Sequence, residues 1–180
     1  VIGGGYIGLE AAAVLKTIGL SVTVVEMAER ILQRVAGSDT SDFIRIKHQN
    51  EGVDILEGTG VAQLHGKEGM VAEVELTDGS KIPADIVIAG IGIAPDVELA
   101  ESAQIESANG ILVNAFSQTS DPDIFAAGDC ANFEFKGQRI RLESVQNAID
   151  QAENAAMNMI GAEKPYNPSP WFWSDQYDLK

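Results

Sequence analysis

Cysteine, histidine and positive charge are all scarce in this 180-residue chain. The single cysteine excludes an internal disulfide framework and any four-cysteine zinc site. The two histidines, at 48 and 65, stand apart with no clustered cysteine, so no metal site is expected. Twelve Lys and Arg stand against 27 Asp and Glu, a formal net charge of −15. That sign is wrong for a phosphate-backbone binder, which needs a basic face to release counterions, and no nucleic-acid partner is expected. Long apolar runs are missing as well. The richest stretch, Ile86 to Ala94, is broken by Gly90 and Gly92 and falls short of the roughly 18 residues of a membrane span, so no membrane partner is expected. No basic segment followed by an apolar one opens the chain, which makes a cytoplasmic setting the expectation.

What is present is a globular composition, 45% hydrophobic and 22% charged. The length allows one domain, or one with parts of another. Val1-Ile2-Gly3 reads as a strand already entering its turn, and Tyr177 to Lys180 as the middle of an extended segment. The chain is therefore expected to be an internal piece of a longer protein.

Gly3-Gly4-Gly5-Tyr6-Ile7-Gly8 is a G-x-G-x-x-G pattern with its glycines at 3, 5 and 8. A helix follows, with Leu9, Ala12, Ala13, Leu15 and Ile18 near 3.6-residue spacing and Gly19 at its C′ position. Ser21 to Val25 then reads as a buried strand ending in Glu26. Gly3 permits the tight turn, Gly5 lets backbone approach a pyrophosphate, and Gly8 lets helix and strand pack closely. The helix N-terminus offers N–H groups to the anion. Glu26, about 20 residues on, stands where an acid accepts hydrogen bonds from an adenosine ribose and repels a 2′-phosphate. This favours NADH over NADPH, with Arg30 near enough to argue the other way. The alternative for Glu26 is a solvated carboxylate at a strand end.

Ser38-Asp39-Thr40-Ser41-Asp42 offers several N-caps for a helix expected to run to about Asn50, with His48 on its surface, followed by a strand at Val53–Leu56. His65, beside Gly66, is expected in a turn. Val71 to Leu76, Thr77-Asp-Gly-Ser80 and Lys81-Ile82 read as a hairpin within a β-meander. Ile86 to Ala89 reads as a strand buried on both faces. It ends in Gly90-Ile-Gly-Ile-Ala-Pro95, where Gly92 allows close approach of a ligand or serves a tight loop for its own sake.

Farther on, Ile124 to Ala127 is expected as a strand ending in Gly128-Asp129-Cys130. A glycine and a carboxylate there suit a hydroxyl-rich ligand; Asp129 reads equally as a cap or turn residue. Cys130 is read as a small buried apolar residue rather than a nucleophile. Glu143-Ser144 opens a long helix whose expected buried stripe is Val145, Ile149, Ala152, Ala156, Met159 and Ile160. Lys164 to Pro170 is a linker by composition, and Trp171-Phe172-Trp173 the buried start of another domain or a face for a flat cofactor or partner.

These segments, in this order, resemble the flavin-dependent pyridine nucleotide-disulfide oxidoreductases. Gly3 to Glu10 is similar to the nucleotide turn of that family, Gly90 to Pro95 to its second glycine motif, and Thr119 to Asp129 to its second flavin motif. Arg141-Leu-Glu-Ser-Val-Gln-Asn-Ala148 and Pro170-Trp-Phe-Trp-Ser-Asp-Gln176 resemble the oxygenase-coupled NADH:ferredoxin reductase branch, the putidaredoxin-reductase-like proteins. The fold class implied is α/β: a Rossmann-like NAD-binding domain (1–113) with a parallel sheet and a β-meander insertion, the returning part of an FAD-binding domain (114–163), and a linker with the start of a C-terminal domain (164–180).

The resemblance implies roles. Gly3, Gly5 and Gly8 seat the NADH pyrophosphate and Glu26 the ribose; Tyr6 and Ile7 lie near the nicotinamide face and Glu10 near its carboxamide, with Gly92 alongside. Gly128 and Asp129 meet the ribityl chain of FAD, the helix start at Ser144 and Val145 points at the flavin pyrimidine edge, and Trp173 lies close to the flavin. NADH delivers two electrons as hydride, while a [2Fe-2S] ferredoxin accepts one at a time, so the flavin stands between them. No side-chain nucleophile or base is called for. The function implied is a flavoprotein reductase passing electrons from NADH through FAD to a ferredoxin that feeds an oxygenase. Competing readings are a rubredoxin or disulfide reductase, and an NAD-binding module or fragment without flavin.

Overall fold

Ile2 stands between two parallel neighbours. In the computed structural model, which describes residues 1–180, it bridges Val25 on one side and Ala89 on the other. Ile2 N–H donates to the Ile88 carbonyl at 2.8 Å, and Gly90 N–H returns to the Ile2 carbonyl at 2.7 Å. Helix α1 (Tyr6–Thr17) leads from Ile2 to strand β1 (Thr23–Glu26), and helix α2 (Ser38–Asn50) leads from β1 to β2 (Asp54–Glu57). Strands β1 and β2 pair in parallel, Thr23 with Asp54 through Glu26 with Glu57. Two successive βαβ crossovers onto a parallel sheet make a Rossmann-like arrangement. Consecutive Val24 and Val25 are both buried, as expected for a strand covered on both faces. Val24 packs with Ala12, Val22 and Val53, and Val25 with Val74 and Leu76. Burying a Val or Leu fully is worth about 1.5–3 kcal/mol, so these clusters fix the sheet under the helices.

The meander follows as β3 (Val61–Lys67), β4 (Met70–Leu76) and β5 (Lys81–Pro83), all antiparallel. Its Asp-Gly turn is held by Asp78, whose carboxylate accepts Ser80 N–H at 2.9 Å and the Ser80 hydroxyl at 2.6 Å. Residues 1–92 and 174–180 form one compact unit, and residues 93–173 form another.

The second unit carries helix α3 (Glu98–Ser102), strands β6 (Ile111–Leu112), β7 (Ala131–Phe135) and β8 (Gln138–Ile140), and helix α4 (Val145–Met159). Val113, Ala131 and Phe133 form its apolar centre, with Tyr166 packed edge-on to Phe133. Ser144 caps α4 by accepting Asn147 N–H, the capping expected at Glu143-Ser144. No helix of the chain is long and apolar enough to cross a membrane.

Several expectations need correction. The strand at Ile86–Ala89 is reduced to the single bridge with Ile2, and Ile86 is exposed, because this edge segment has only one neighbour. Ile124–Ala127 is extended chain rather than a strand, tied by a Gln118–Phe125 bridge and by Ala126 N–H to the Ser117 carbonyl. The α4 stripe is turned outward. Val145, Ile149, Ala152, Ala156, Met159 and Ile160 are exposed, while Asn147, Gln151, Asn154 and Ala155 are buried. The buried amides serve the backbone of nearby loops. Gln151 Oε1 accepts Gly128 N–H, Asn147 donates to the Leu142 carbonyl, and Asn154 donates to that of Lys164. Ile18 is exposed at the end of α1, and Trp171 is about half exposed rather than buried. His65 lies in β3, not in a turn, its ring nitrogen 2.6 Å from Glu75.

Candidate functional site

The glycine turn owes its shape to crowding. Gly3 has φ +98°, a conformation that suits glycine, and a Cβ there would collide with the Gly90 carbonyl. A Cβ on Gly8 would strike the Gly3 carbonyl, so the first turn of α1 packs directly on the turn before it. Around Gly5, by contrast, nothing lies within 4 Å of where a Cβ would stand. The N-terminus of α1 has no side-chain cap and no acid in its first turn. Open space, an uncapped helix start and its positive dipole end together form a cradle that fits a pyrophosphate.

Glu26 closes the turn from the sheet side. Its Oε2 accepts Gly4 N–H at 2.6 Å and its Oε1 accepts Ala28 N–H at 2.7 Å. A carboxylate has about four lone-pair sites, so both oxygens retain capacity for ribose hydroxyls. Arg30 is committed elsewhere: its guanidinium donates to Ser41 Oγ and, at 2.9 Å, to the Ala36 carbonyl. Beside Glu26 in the parallel register stands Glu57, whose carboxylate accepts Ile31 N–H at 2.7 Å and pairs with Arg45 at 2.9 Å. Tyr6 packs on the Leu9–Ile31–Leu32 cluster, Ile7 is exposed, and Gly92 is exposed just beyond the Ala89 bridge.

The structure therefore gathers Gly3, Gly5, Tyr6, Ile7, Gly8, Glu10, Glu26 and Gly92 in the first unit. Gly128, Asp129, Ser144, Val145 and Trp173 belong to the second. There Gly128 (φ +79°) opens a single 3-10 turn, and a Cβ on it would press on Ala148 of α4 at 3.3 Å. Asp129 is exposed on that turn, and its carbonyl accepts an Arg141 N–H at 2.7 Å. Buried Gln151 holds the turn through Gly128 N–H at 2.9 Å, and its Nε2 is left without a hydrogen-bond partner. Val145 is exposed at the start of α4. Trp173 is half exposed, its ring centroid 5.4 Å from that of Trp171. An open carboxylate beside a close-packed glycine and a capped helix start fit a polyhydroxylated ligand.

Sequence reasoning missed the partners of Glu10. Its Oε1 accepts the Ser174 hydroxyl at 2.6 Å. Ser174 Oγ in turn accepts from Gln176 Nε2 at 3.0 Å, and Gln176 Oε1 lies 2.9 Å from His48 Nε2. His48 is wholly buried, contrary to the expected surface position. Its helix buries Ser41 and His48, seven residues apart, and packs Ile44 on the core, while Phe43 and Ile46 face outward, so the apolar residues mark no single face.

The family model of the pyridine nucleotide-disulphide oxidoreductases matches residues 1–152. The chain belongs to that family. A ferredoxin–NAD(P)(+) reductase of Sphingomonas sp. is 48% identical over 184 residues, covering 100% of this chain and 44% of its own length. The crystal structure of a ferredoxin reductase from Rhodopseudomonas palustris superposes with a TM-score of 0.95 at 44% identity, covering 98% of this chain and 44% of that one. The covalent putidaredoxin reductase–putidaredoxin complex gives a TM-score of 0.92 at 44% identity, covering 98% and 43%. The chain thus spans less than half the length of the relatives it matches. The α/β class with a Rossmann-like sheet stands as expected.

Proposed function

We propose that this chain is part of a flavoprotein reductase that passes electrons from NADH through FAD to a small [2Fe-2S] ferredoxin serving an oxygenase. The observation that carries the reading is the glycine turn, with its open Gly5 and Glu26 bound to Gly4, in a chain 48% identical to a ferredoxin–NAD(P)(+) reductase.

Residues 1–113 form the nucleotide domain on this reading, 114–163 the returning flavin segment, and 164–180 the linker and the start of a C-terminal domain. Gly3, Gly5 and Gly8 bring backbone to the pyrophosphate, and the α1 N-terminus stabilises its charge. Glu26 accepts the ribose hydroxyls and repels a 2′-phosphate. The commitment of Arg30 to Ser41 and Ala36 removes the cation that would have argued for NADPH. Tyr6, Ile7 and Gly92 border the nicotinamide, and Glu10 accepts a hydrogen bond from its carboxamide.

Gly128 and Asp129 hold the ribityl chain of FAD. The α4 N-terminus, capped by Ser144 and fronted by Val145, presents a positive dipole end to the pyrimidine edge. Trp173 borders the flavin on its acceptor side. FAD, when bound, supplies the conversion between a two-electron hydride donor and a one-electron acceptor. The side chains bind, orient and exclude water, and none acts as nucleophile or base. The setting is cytoplasmic, where NADH is supplied.

The test is titration of the full-length protein with NADH and NADPH. Saturable binding of NADH well below the NADPH range supports the reading; equal binding of both removes the role given to Glu26.

A further inference from the structure

Four hydrogen bonds run in one direction across the first unit and end on Glu10. The Tyr177 hydroxyl meets His48 Nδ1 at 3.2 Å, and His48 Nε2 meets Gln176 Oε1 at 2.9 Å. Gln176 Nε2 donates to Ser174 Oγ at 3.0 Å, and the Ser174 hydroxyl donates to Glu10 Oε1 at 2.6 Å. With a neutral His48 imidazole, one assignment satisfies every member. Glu10 as a carboxylate only accepts, so Ser174 must donate to it. Ser174 then accepts from the Gln176 amide NH2, which turns the Gln176 carbonyl towards His48. His48 therefore carries its proton on Nε2 and accepts at Nδ1 from Tyr177. Burial favours this neutral imidazole.

The chain of bonds is anchored at its far end. His48 and Gln176 are 0% and 2% exposed. Gln176 and Leu179 exchange backbone hydrogen bonds at 3.0 Å, folding residues 176–179 into a turn. Lys47 grips that turn through Asp178 at 2.6 Å and lies 5.4 Å from the centre of the Tyr177 ring. Glu10, by contrast, is only half-buried on α1, two residues beyond Gly8.

We propose that Ser174 and Gln176, backed by His48, are positioning residues that aim the Glu10 carboxylate at the nicotinamide carboxamide. The inference rests on the placement of Glu10 beside the nicotinamide given above. One oxygen of Glu10 is held by Ser174, which fixes the rotamer and leaves the other oxygen for the ligand. A carboxylate on a free side chain would have to be ordered each time nucleotide binds, at a cost in affinity and alignment. A segment 164 residues downstream thereby completes the nucleotide end of the first unit.

The full-length protein tests this with Ser174→Ala, Ser174→Thr, Glu10→Gln and the Ser174→Ala/Glu10→Gln double variant. The measurements are calorimetric affinity for NAD+ and for ADP-ribose, and the maximal rate of flavin bleaching by NADH. ADP-ribose lacks the nicotinamide, so general damage to the fold weakens it and misaimed Glu10 does not. Ser174→Ala is expected to weaken NAD+ and slow bleaching by roughly tenfold, the scale of one hydrogen bond to a charged group. ADP-ribose affinity should hold, Ser174→Thr should restore the loss, and Ser174→Ala should add nothing in the Glu10→Gln background.

Wild-type behaviour of Ser174→Ala alongside an impaired Glu10→Gln overturns the positioning role and leaves the placement of Glu10 intact. An unimpaired Glu10→Gln overturns both. Parallel loss of ADP-ribose affinity in Ser174→Ala reduces the network to a structural clasp.

Discussion

The Glu26 carboxylate is bound to the backbone of the turn it is expected to serve: Oε2 accepts Gly4 N–H at 2.6 Å across 22 residues of sequence. On the proposed reading, the residue that meets the ribose thus also fixes the loop that seats the pyrophosphate. Glu26→Arg should therefore do more than invert the charge at the 2′ position. It should raise the KM for NADH by roughly ten- to a hundredfold, the scale of a lost hydrogen bond to a charged group, while narrowing the preference over NADPH. Steady-state kinetics of the full-length protein with both nucleotides checks it. An unchanged NADH/NADPH ratio would show that Glu26 does not read the ribose.

Two glycines of the same turn should separate stability from binding. Gly8→Ala drives a methyl into the Gly3 carbonyl and should cost about 1–3 kcal/mol, seen as a lowered Tm. Gly5→Ala meets open space and, at a helix N-cap, should cost no more than about 1 kcal/mol. On the proposed reading its methyl stands where backbone approaches the pyrophosphate, so NADH affinity should fall sharply. Thermal melts paired with NADH titrations distinguish the two. Intact affinity in Gly5→Ala would move the pyrophosphate elsewhere.

Burial holds the His48 imidazole below its usual value of 6.5. The Gln176 hydrogen bond and Glu51 partly oppose this, and Lys47 adds to it. The unfolded chain therefore binds the proton more readily than the folded one. The stability this group contributes is fully present above about pH 6.5 and is lost as pH falls from there towards the folded value. Tyr177 packs edge-on to the ring, and the Lys47 pairing holds Asp178 below the usual carboxylate range. The Tm should fall as pH drops from about 7 to about 5, and His48→Gln should flatten that slope. A slope unchanged in the variant would assign it to other groups.

Tyr166 donates to buried Asn147 Oδ1 at 2.9 Å, and burial with the charge of Asp150 pushes its phenol up to about 12. It remains a donor across the working pH range. Tyr166→Phe leaves the Asn147 oxygen without that bond and should cost about 1–3 kcal/mol, read by chemical denaturation. A neutral substitution would mean that water replaces the hydroxyl.

Local chemistry was legible in the sequence, and tertiary choice was not. The glycine turn, the Asp78-Gly79 hairpin, the end of α2 at Asn50 and the Ser144 cap each depend on a few adjacent residues, and each stands where the spacing puts it, whereas α2 starts one residue early on Gly37 with no side-chain cap. The α4 stripe failed because periodicity says which residues share a face, not which face this chain covers. Amides of Asn147, Gln151 and Asn154 face inward because nearby loops leave backbone groups to be paired, which no hydropathy pattern encodes. His48 escaped notice because its partner lies 128 residues away. Ser174 and Gln176 stood inside a recognisable string, but nothing local says that one of them reaches Glu10.

The measurement that bears most directly on the account is the visible spectrum of the full-length protein before and after anaerobic NADH. The account predicts flavin absorption bands that bleach on addition of NADH. A protein with no flavin bands even after added FAD would contradict it, leaving a nucleotide-binding module in which Asp129 and Trp173 are structural.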